Sequence, residues 1–218
     1  MKRVPIGKVY AVLENFVSDL PTPVAELVAE QTGDPFKVLV TTILTARTKD
    51  TTTVEVIKTL FDHITSFDDL KRLPLERIRE LIYPVGFYKN KAQYLKALPY
   101  TIEQEFDGRI PDTVDELTKL PGVGRKTANL VVATAFHKPA ICVDIHVHRI
   151  TNRLGYVRTQ TPFETEMALR KKLPEQYWIT FNTYLVAFGQ HTCTPVSPHC
   201  SKCPIEKYCN KIGVTRNR

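Results

Sequence analysis

The sequence predicts an all-α protein, and three observations carry that expectation. Apolar residues recur at helical spacing in almost every segment, and nowhere do apolar and polar residues alternate as in a half-buried strand. Helix caps and prolines punctuate the chain at short intervals. The expected architecture is a bundle of roughly ten helices joined by short loops.

The elements follow in order. Ile6, Val9, Leu13, Phe16, Val17 and Leu20 form the first stripe, stopped by Pro21 and Pro23. Asp34-Pro35 is a cap followed by proline at the first helical position, and the helix it opens turns Phe36, Leu39, Val40, Ile43 and Leu44 inward. Further stripes run through Val54, Ile57, Leu60 and Phe61, then Leu75, Ile78, Leu81 and Ile82, then Leu95, Leu98 and Ile102. Thr113 and Glu116 have the spacing of a capping box and open a short helix that ends at Leu120-Pro121. The helix after Arg125 has Ala128, Val131, Val132, Ala135 and Phe136 inward, and Asp144 opens another. Thr161-Pro162-Phe163-Glu164 is a second capping box, and Trp178, Phe181, Leu185 and Phe188 make the last stripe. Beyond Phe188 the composition changes: residues 193–209 hold Pro195, Pro198 and Pro204 and no apolar stripe.

Composition sets outer bounds. The apolar fraction of 43% and charged fraction of 24% are ordinary for a soluble globular chain of 218 residues. A net charge of +7, from 30 Lys+Arg against 23 Asp+Glu, favours polyanionic partners weakly. No apolar run approaches the ~20 residues of a membrane span, and no signal-peptide pattern follows Met1. An intracellular protein is expected.

Four of the five cysteines stand at Cys193-x6-Cys200-x2-Cys203-x5-Cys209. Disulfides suit a reducing compartment poorly. Four thiolates with so little core around them read as ligands, and soft sulfur selects zinc or an iron–sulfur cluster. Zinc sites usually show two short Cys-x-x-Cys knuckles; one is present here, and the longer spacers suit a cubane wrapped by a loop. His191 and His199 lie close by but are surplus to a complete four-thiolate site. Cys142, in an apolar run, is expected to be a buried thiol.

The turn Leu120-Pro121-Gly122-Val123-Gly124 precedes Arg125-Lys126-Thr127-Ala128-Asn129. Glycines permit positive φ and leave no side chain between backbone and ligand. The first amides of the following helix and its dipole suit a phosphate. Alone, such a turn is more often a plain helix connection; between capped helices in a basic chain it points to contact with a nucleic-acid backbone. Lys126 reads equally as a phosphate-binding lysine or as a nucleophile, the latter if an apolar cleft and neighbouring Arg125 favour its neutral amine. Asp144 reads as an N-cap and also as a fixed anion beside developing positive charge, and the two roles are compatible.

The cysteine tail, residues 120–129 and Val143-Asp144-Ile145-His146 together resemble the endonuclease III family of DNA glycosylases, over about residues 34–210. The resemblance implies a six-helix domain (25–137) carrying a helix–hairpin–helix motif at about 113–136. It also implies a second helical domain formed by both chain ends (1–24 and 138–218), which would hold a structural [4Fe-4S] cluster on Cys193, Cys200, Cys203 and Cys209. Lys126 is implied as the Schiff-base nucleophile and Asp144 as the carboxylate facing it across a cleft. Leu120, Gly122, Val123 and Gly124 are implied as DNA-binding. Arg47 and Phe87 match positions where the family inserts side chains into DNA, typically glutamine and leucine. Here Phe87 would wedge bases apart and Arg47 would bond an orphaned base or a phosphate. Residues 194–199 lack the basic residues frequent in bacterial relatives, which leaves Lys202, Lys207, Lys211 and Arg216 to grip phosphates.

The expected activity is that of a bifunctional DNA glycosylase and abasic-site lyase acting on oxidised pyrimidines in double-stranded DNA. It is expected to be a monomer, cytoplasmic and nucleoid-associated, in a prokaryote. Rival readings are a uracil or thymine mismatch glycosylase or an adenine glycosylase, whose members usually differ at the Lys126 position; the adenine enzymes also need more length. A non-catalytic DNA-binding module is the rival from another class, and it would need neither Lys126 nor Asp144.

Overall fold

A computed structural model describes residues 2–18 and 22–218. Leu20 and Pro21, named above in the first stripe, lie outside the described residues. Among the described residues there are twelve α-helices and no strand. The chain divides into two compact units, Thr22–Lys138 and the pair of segments Met1–Pro21 with Pro139–Arg218.

The 22–138 unit contains α2 (Val24–Thr32), α3 (Pro35–Thr45), α4 (Asp50–His63), α5 (Phe67–Arg72), α6 (Leu75–Ile82), α7 (Tyr88–Phe106), α8 (Val114–Leu117) and α9 (Arg125–Ala135). Six of these have eight residues or more; α5 and α8 are short. α3 is the centre. Asp34 accepts from the Phe36 amide at 2.9 Å, with Pro35 in the first turn. Val38, Leu39, Val40, Ile43 and Leu44 are then buried, as are Thr41 and Thr42, so the helix is enclosed on all sides. It packs against α2, α4, α7 and α9. Each fully buried Leu or Ile contributes ~1.5–3 kcal/mol.

Helices α2 and α5 extend the pattern expected from apolar stripes. α2 is only nine residues long and stops at Gly33, whose φ of +59° closes the helix in the left-handed region. α5 is opened by a reciprocal capping box between Ser66 and Asp69. The two expected boxes form by halves. Thr113 and Thr161 each accept from the amide three residues on. The Glu116 carboxylate takes the Thr113 hydroxyl at 2.6 Å, and the Glu164 carboxylate takes the Gln160 amide at 2.8 Å.

The other unit contains α1 (Ile6–Val17), α10 (Ile145–Leu154), α11 (Pro162–Lys172) and α12 (Trp178–His191), with short 3-10 turns at Glu175–Tyr177, Cys200–Lys202 and Glu206–Tyr208. Its core joins Val9 and Leu13 of α1 to Val147 and Ile150 of α10 and Phe181, Leu185 and Phe188 of α12. Phe16 meets Phe188 edge-on, with centroids 5.5 Å apart. The two chain ends are tied directly. The Lys2 amide donates to Asn210 Oδ1 at 2.7 Å, and Asn210 Nδ2 donates back to the Lys2 carbonyl at 3.0 Å. Among the described residues no helix is long and apolar enough to cross a membrane.

Candidate active site and nucleic-acid interface

In the 22–138 unit, α8 and α9 are joined by a tight turn. The Val123 amide donates to the Leu120 carbonyl at 3.1 Å, and the Ala128 amide donates to the Gly124 carbonyl at 2.8 Å, starting α9. The two glycines do different work. Gly122 has φ +75°, and a Cβ there would lie 2.6 Å from Tyr94 Cδ2. Gly124 is the N-cap of α9 in extended conformation, with open space where its Cβ would be. It offers no capping side chain, and the first turn of α9 holds no acid. The positive end of the helix dipole is therefore left for an external anion. Leu120 and Val123 are buried, so the hairpin's outward contacts there belong to its main chain. Lys126 stands in that first turn and is exposed rather than enclosed by apolar side chains. Arg125 turns towards Asp115, with 3.5 Å between charged atoms.

The structure brings Arg47 and Phe87 together although they are forty positions apart in sequence. The Arg47 guanidinium sits over the Phe87 ring, 5.3 Å from its centroid. Phe87 is 59% exposed. Both residues lie in the left-handed region, at φ +54° and +58°, which a non-glycine residue adopts only when its surroundings hold it there. Arg47 follows the last turn of α3, and Phe87 is the N-cap of α7. Their turns touch: the Gly86 amide donates to Thr48 Oγ1 at 3.0 Å, and a Cβ on Gly86 would collide with the Arg47 carbonyl. Tyr83, 64% exposed and edge-on to Tyr88 at 5.4 Å, extends this aromatic surface.

Sequence reasoning left out the residue that holds these turns, Lys91. It lies in α7, is 4% exposed, and donates to the Leu44 carbonyl (2.7 Å), the Ala46 carbonyl (2.6 Å) and Thr48 Oγ1 (3.0 Å). Burial pushes its amine down to about 8. The available signal is its place in the apolar stripe, one helical turn before Leu95.

In the other unit, Asp144 is the N-cap of α10. Its Oδ1 accepts from the His146 amide at 2.7 Å and the Val147 amide at 2.9 Å, fixing a half-buried carboxylate at the helix entry. Cys193, Cys200, Cys203 and Cys209, each half-buried, border one cavity with Ile205 and Phe188 among its walls. The donors around them suit sulfur anions. Arg153 Nη1 donates to Cys193 Sγ at 3.4 Å, and the Lys211 amide donates to Cys209 Sγ at 3.3 Å. Burial, reinforced by the three neighbouring thiols, pushes the Cys203 thiol up to about 11. Binding a metal there therefore has to displace protons. Among the described residues no three metal-ligating side chains converge as a single ion requires. His191 bonds the Ala187 carbonyl, His199 lines the cavity, and Cys142 is buried. Lys211 pairs with Glu206 at 2.6 Å, while Lys202, Lys207 and Arg216 are exposed.

A glycine hairpin at an open helix end, with a lysine in the first turn, suits contact with a nucleic-acid backbone, and comparison with known proteins makes the class that of a base-excision DNA repair protein. The family described as "HhH-GPD superfamily base excision DNA repair protein" matches residues 40–175. The chain is 45% identical to endonuclease III of Thermotoga maritima over 190 residues, 85% of this chain and 89% of that protein. Among solved structures, a non-covalent endonuclease III–DNA complex superposes with a TM-score of 0.83 at 34% identity, covering 94% of each chain. A trapped endonuclease III–DNA covalent intermediate superposes with 0.81 at 35% identity, covering 96% of this chain and 97% of that one. The chain belongs to the endonuclease III family within the HhH-GPD superfamily.

Proposed function

We propose that this base-excision-repair DNA glycosylase and abasic-site lyase removes oxidised pyrimidines from double-stranded DNA, with Lys126 as nucleophile and Asp144 as the charge-stabilising carboxylate. The observation that carries the assignment is Lys126, exposed in the first turn of α9 beside a hairpin whose N-cap Gly124 leaves the helix end open. A DNA phosphate docked on that helix end fixes the strand without reading its sequence.

The target nucleotide leaves the stack, because its anomeric carbon is out of reach inside a duplex. The Lys126 amine, acting as the nucleophile, attacks C1′. The C1′–N bond breaks, the base leaves with a proton, and positive charge grows on the sugar. Asp144, held by two amides, stabilises that charge. The two amine protons pass to the departing base and to O4′ as the ring opens, which gives the Schiff base. Removal of a C2′ proton then expels the 3′ phosphate, and water releases the amine. Arg47 and Phe87 enter the space left by the displaced nucleotide.

Cys193, Cys200, Cys203 and Cys209 are the residues we assign to a [4Fe-4S] cluster, a reading supported by four thiols that border one cavity. When bound, the cluster supplies cross-links that fold the 193–209 loop, and no step of the reaction runs through it.

The test is borohydride trapping on a duplex containing thymine glycol and on one containing an abasic site. A covalent adduct is expected with the unaltered protein and none with Lys126→Ala. Adduct formation that persists in Lys126→Ala would sink the assignment.

A further inference from the structure

Lys91 puts a charge into the core of the 22–138 unit, and the chemistry above has no use for it there. Lysine is among the residues least often enclosed, and a methionine or leucine would fill a stripe position without burying a polar group. Here the ammonium is fully employed, three donors meeting three oxygens.

The identity of those oxygens is informative. The Leu44 and Ala46 carbonyls end α3, where backbone acceptors lack partners within the helix. The third, Thr48 Oγ1, also accepts from the Gly86 amide. Ala46 and Thr48 flank Arg47 on both sides. The Lys91 amide in turn donates to the Phe87 carbonyl at 3.1 Å, so the same residue holds the other turn through its backbone. One residue thus grips both left-handed positions. On the same face of α7, Tyr94 packs on Gly122 of the hairpin. Phe87, Lys91 and Tyr94 therefore set the wedge, the 45–48 turn and the hairpin from a single helix face.

We infer that Lys91 is a positioning residue that locks the 45–48 turn to the 85–87 turn, so that Arg47 and Phe87 enter DNA as one preformed wedge. This rests on the insertion role proposed above for those two residues. Two left-handed residues stacked on each other would otherwise relax into separate, mobile turns, and each would have to be ordered again when DNA binds.

The test uses the full chain and the variants Lys91→Met and Thr48→Val, the second removing only the hydroxyl that links the turns. Base displacement is read as fluorescence of 2-aminopurine beside a thymine glycol in duplex DNA, and base removal as the single-turnover rate at saturating protein. Strand cleavage at an abasic site in single-stranded DNA is the reference, since no stacked base has to be displaced there. Lys91→Met is expected to lower duplex base removal about 100-fold, as befits buried acceptors losing a charged donor, and Thr48→Val about 10-fold. Both should lower the fluorescence rise in proportion, with less than about a threefold loss on the single strand. Adding Phe87→Ala to Lys91→Met should cost little more, because the wedge is already lost. Equal losses on duplex and single strand, or fully additive losses with Phe87→Ala, would overturn the inference. Absence of any borohydride adduct with the unaltered protein would overturn the lysine chemistry instead; the fluorescence comparison would still decide the wedge.

Discussion

The hairpin at residues 120–126 and the paired turns at Arg47 and Phe87 are both irregular segments between helices, and they are held by opposite means. The hairpin is local: its closing hydrogen bonds join residues three or four apart, and its one strained position is a glycine. The paired turns are non-local. Their strained positions carry large side chains, and the bonds that fix them span 38 to 47 residues. A phosphate-binding loop has to leave its backbone bare, so glycine serves. The wedge proposed for Arg47 and Phe87 has to present side chains from positions where side chains are disfavoured, so the surrounding structure must supply the hold.

Activity separates the two regions first. Lys126→Ala should remove about 10⁴-fold or more of base removal and strand cleavage alike, since in the proposed mechanism it deletes the bond-forming atom on every substrate. Arg47→Ala combined with Phe87→Ala should cost only about 10- to 100-fold, the worth of a stacked base contact, and only on duplex DNA. Single-turnover rates on duplex and single-stranded abasic substrates check both, and a duplex-specific defect in Lys126→Ala would contradict the division.

Stability separates the two regions next. Gly86→Ala would place its methyl on the Arg47 carbonyl, a backbone atom that the Lys91 bonds to Ala46 and Thr48 prevent from retreating. It should cost about 3 kcal/mol, the upper range for forced overpacking. Gly122→Ala would meet Cδ2, Cγ and Cβ of Tyr94 at 2.6, 2.9 and 3.1 Å, a side chain that no hydrogen bond among the described residues pins and that yields with a small shift of its helix. The left-handed φ of +75° adds about 1–2 kcal/mol to the cost of that small shift. Urea unfolding of the two variants measures the order directly, and a reversed order would mean that the hairpin is the more tightly determined region.

Legibility in the sequence follows the same line. The hairpin could be read because its glycines, lysine and flanking caps are contiguous, as are the four thiols between residues 193 and 209. Arg47 and Phe87 were recognisable as positions, but their contact was not, because nothing in two segments forty residues apart announces which carbonyls a lysine will cap. Lys91 stands in the run Lys89-Asn90-Lys91, which looks like an ordinary solvated face. Only its phase with Leu95, Leu98 and Ile102 sets it apart. Helix α5 was silent for a related reason: six residues carry too few turns to show a period, and its signal lies in the Ser66–Asp69 cap.

The last expected effect bears on Lys91 itself, and its sign is what makes it useful. In the folded chain, burial lets the amine lose its proton at about 8, whereas an unfolded lysine holds it to 10.5. Between those values the unfolded chain binds more protons, so the native state gains stability as pH rises. Below 8 both states are charged and above 10.5 both are neutral, and there this contribution is flat. Urea unfolding from pH 7 to 10.5 should therefore show the unaltered protein gaining stability relative to Lys91→Met across that window alone. Duplex base removal should move the other way. A neutral amine has two N–H groups for three oxygens, so one of Leu44, Ala46 or Thr48 loses its donor and the two turns loosen. If Lys91 served stability alone, activity on duplex DNA would rise or hold with stability through pH 9. A fall in the duplex rate while the fold becomes more stable, absent from the single-stranded reference, separates a lysine that holds a wedge from one that merely fills a core.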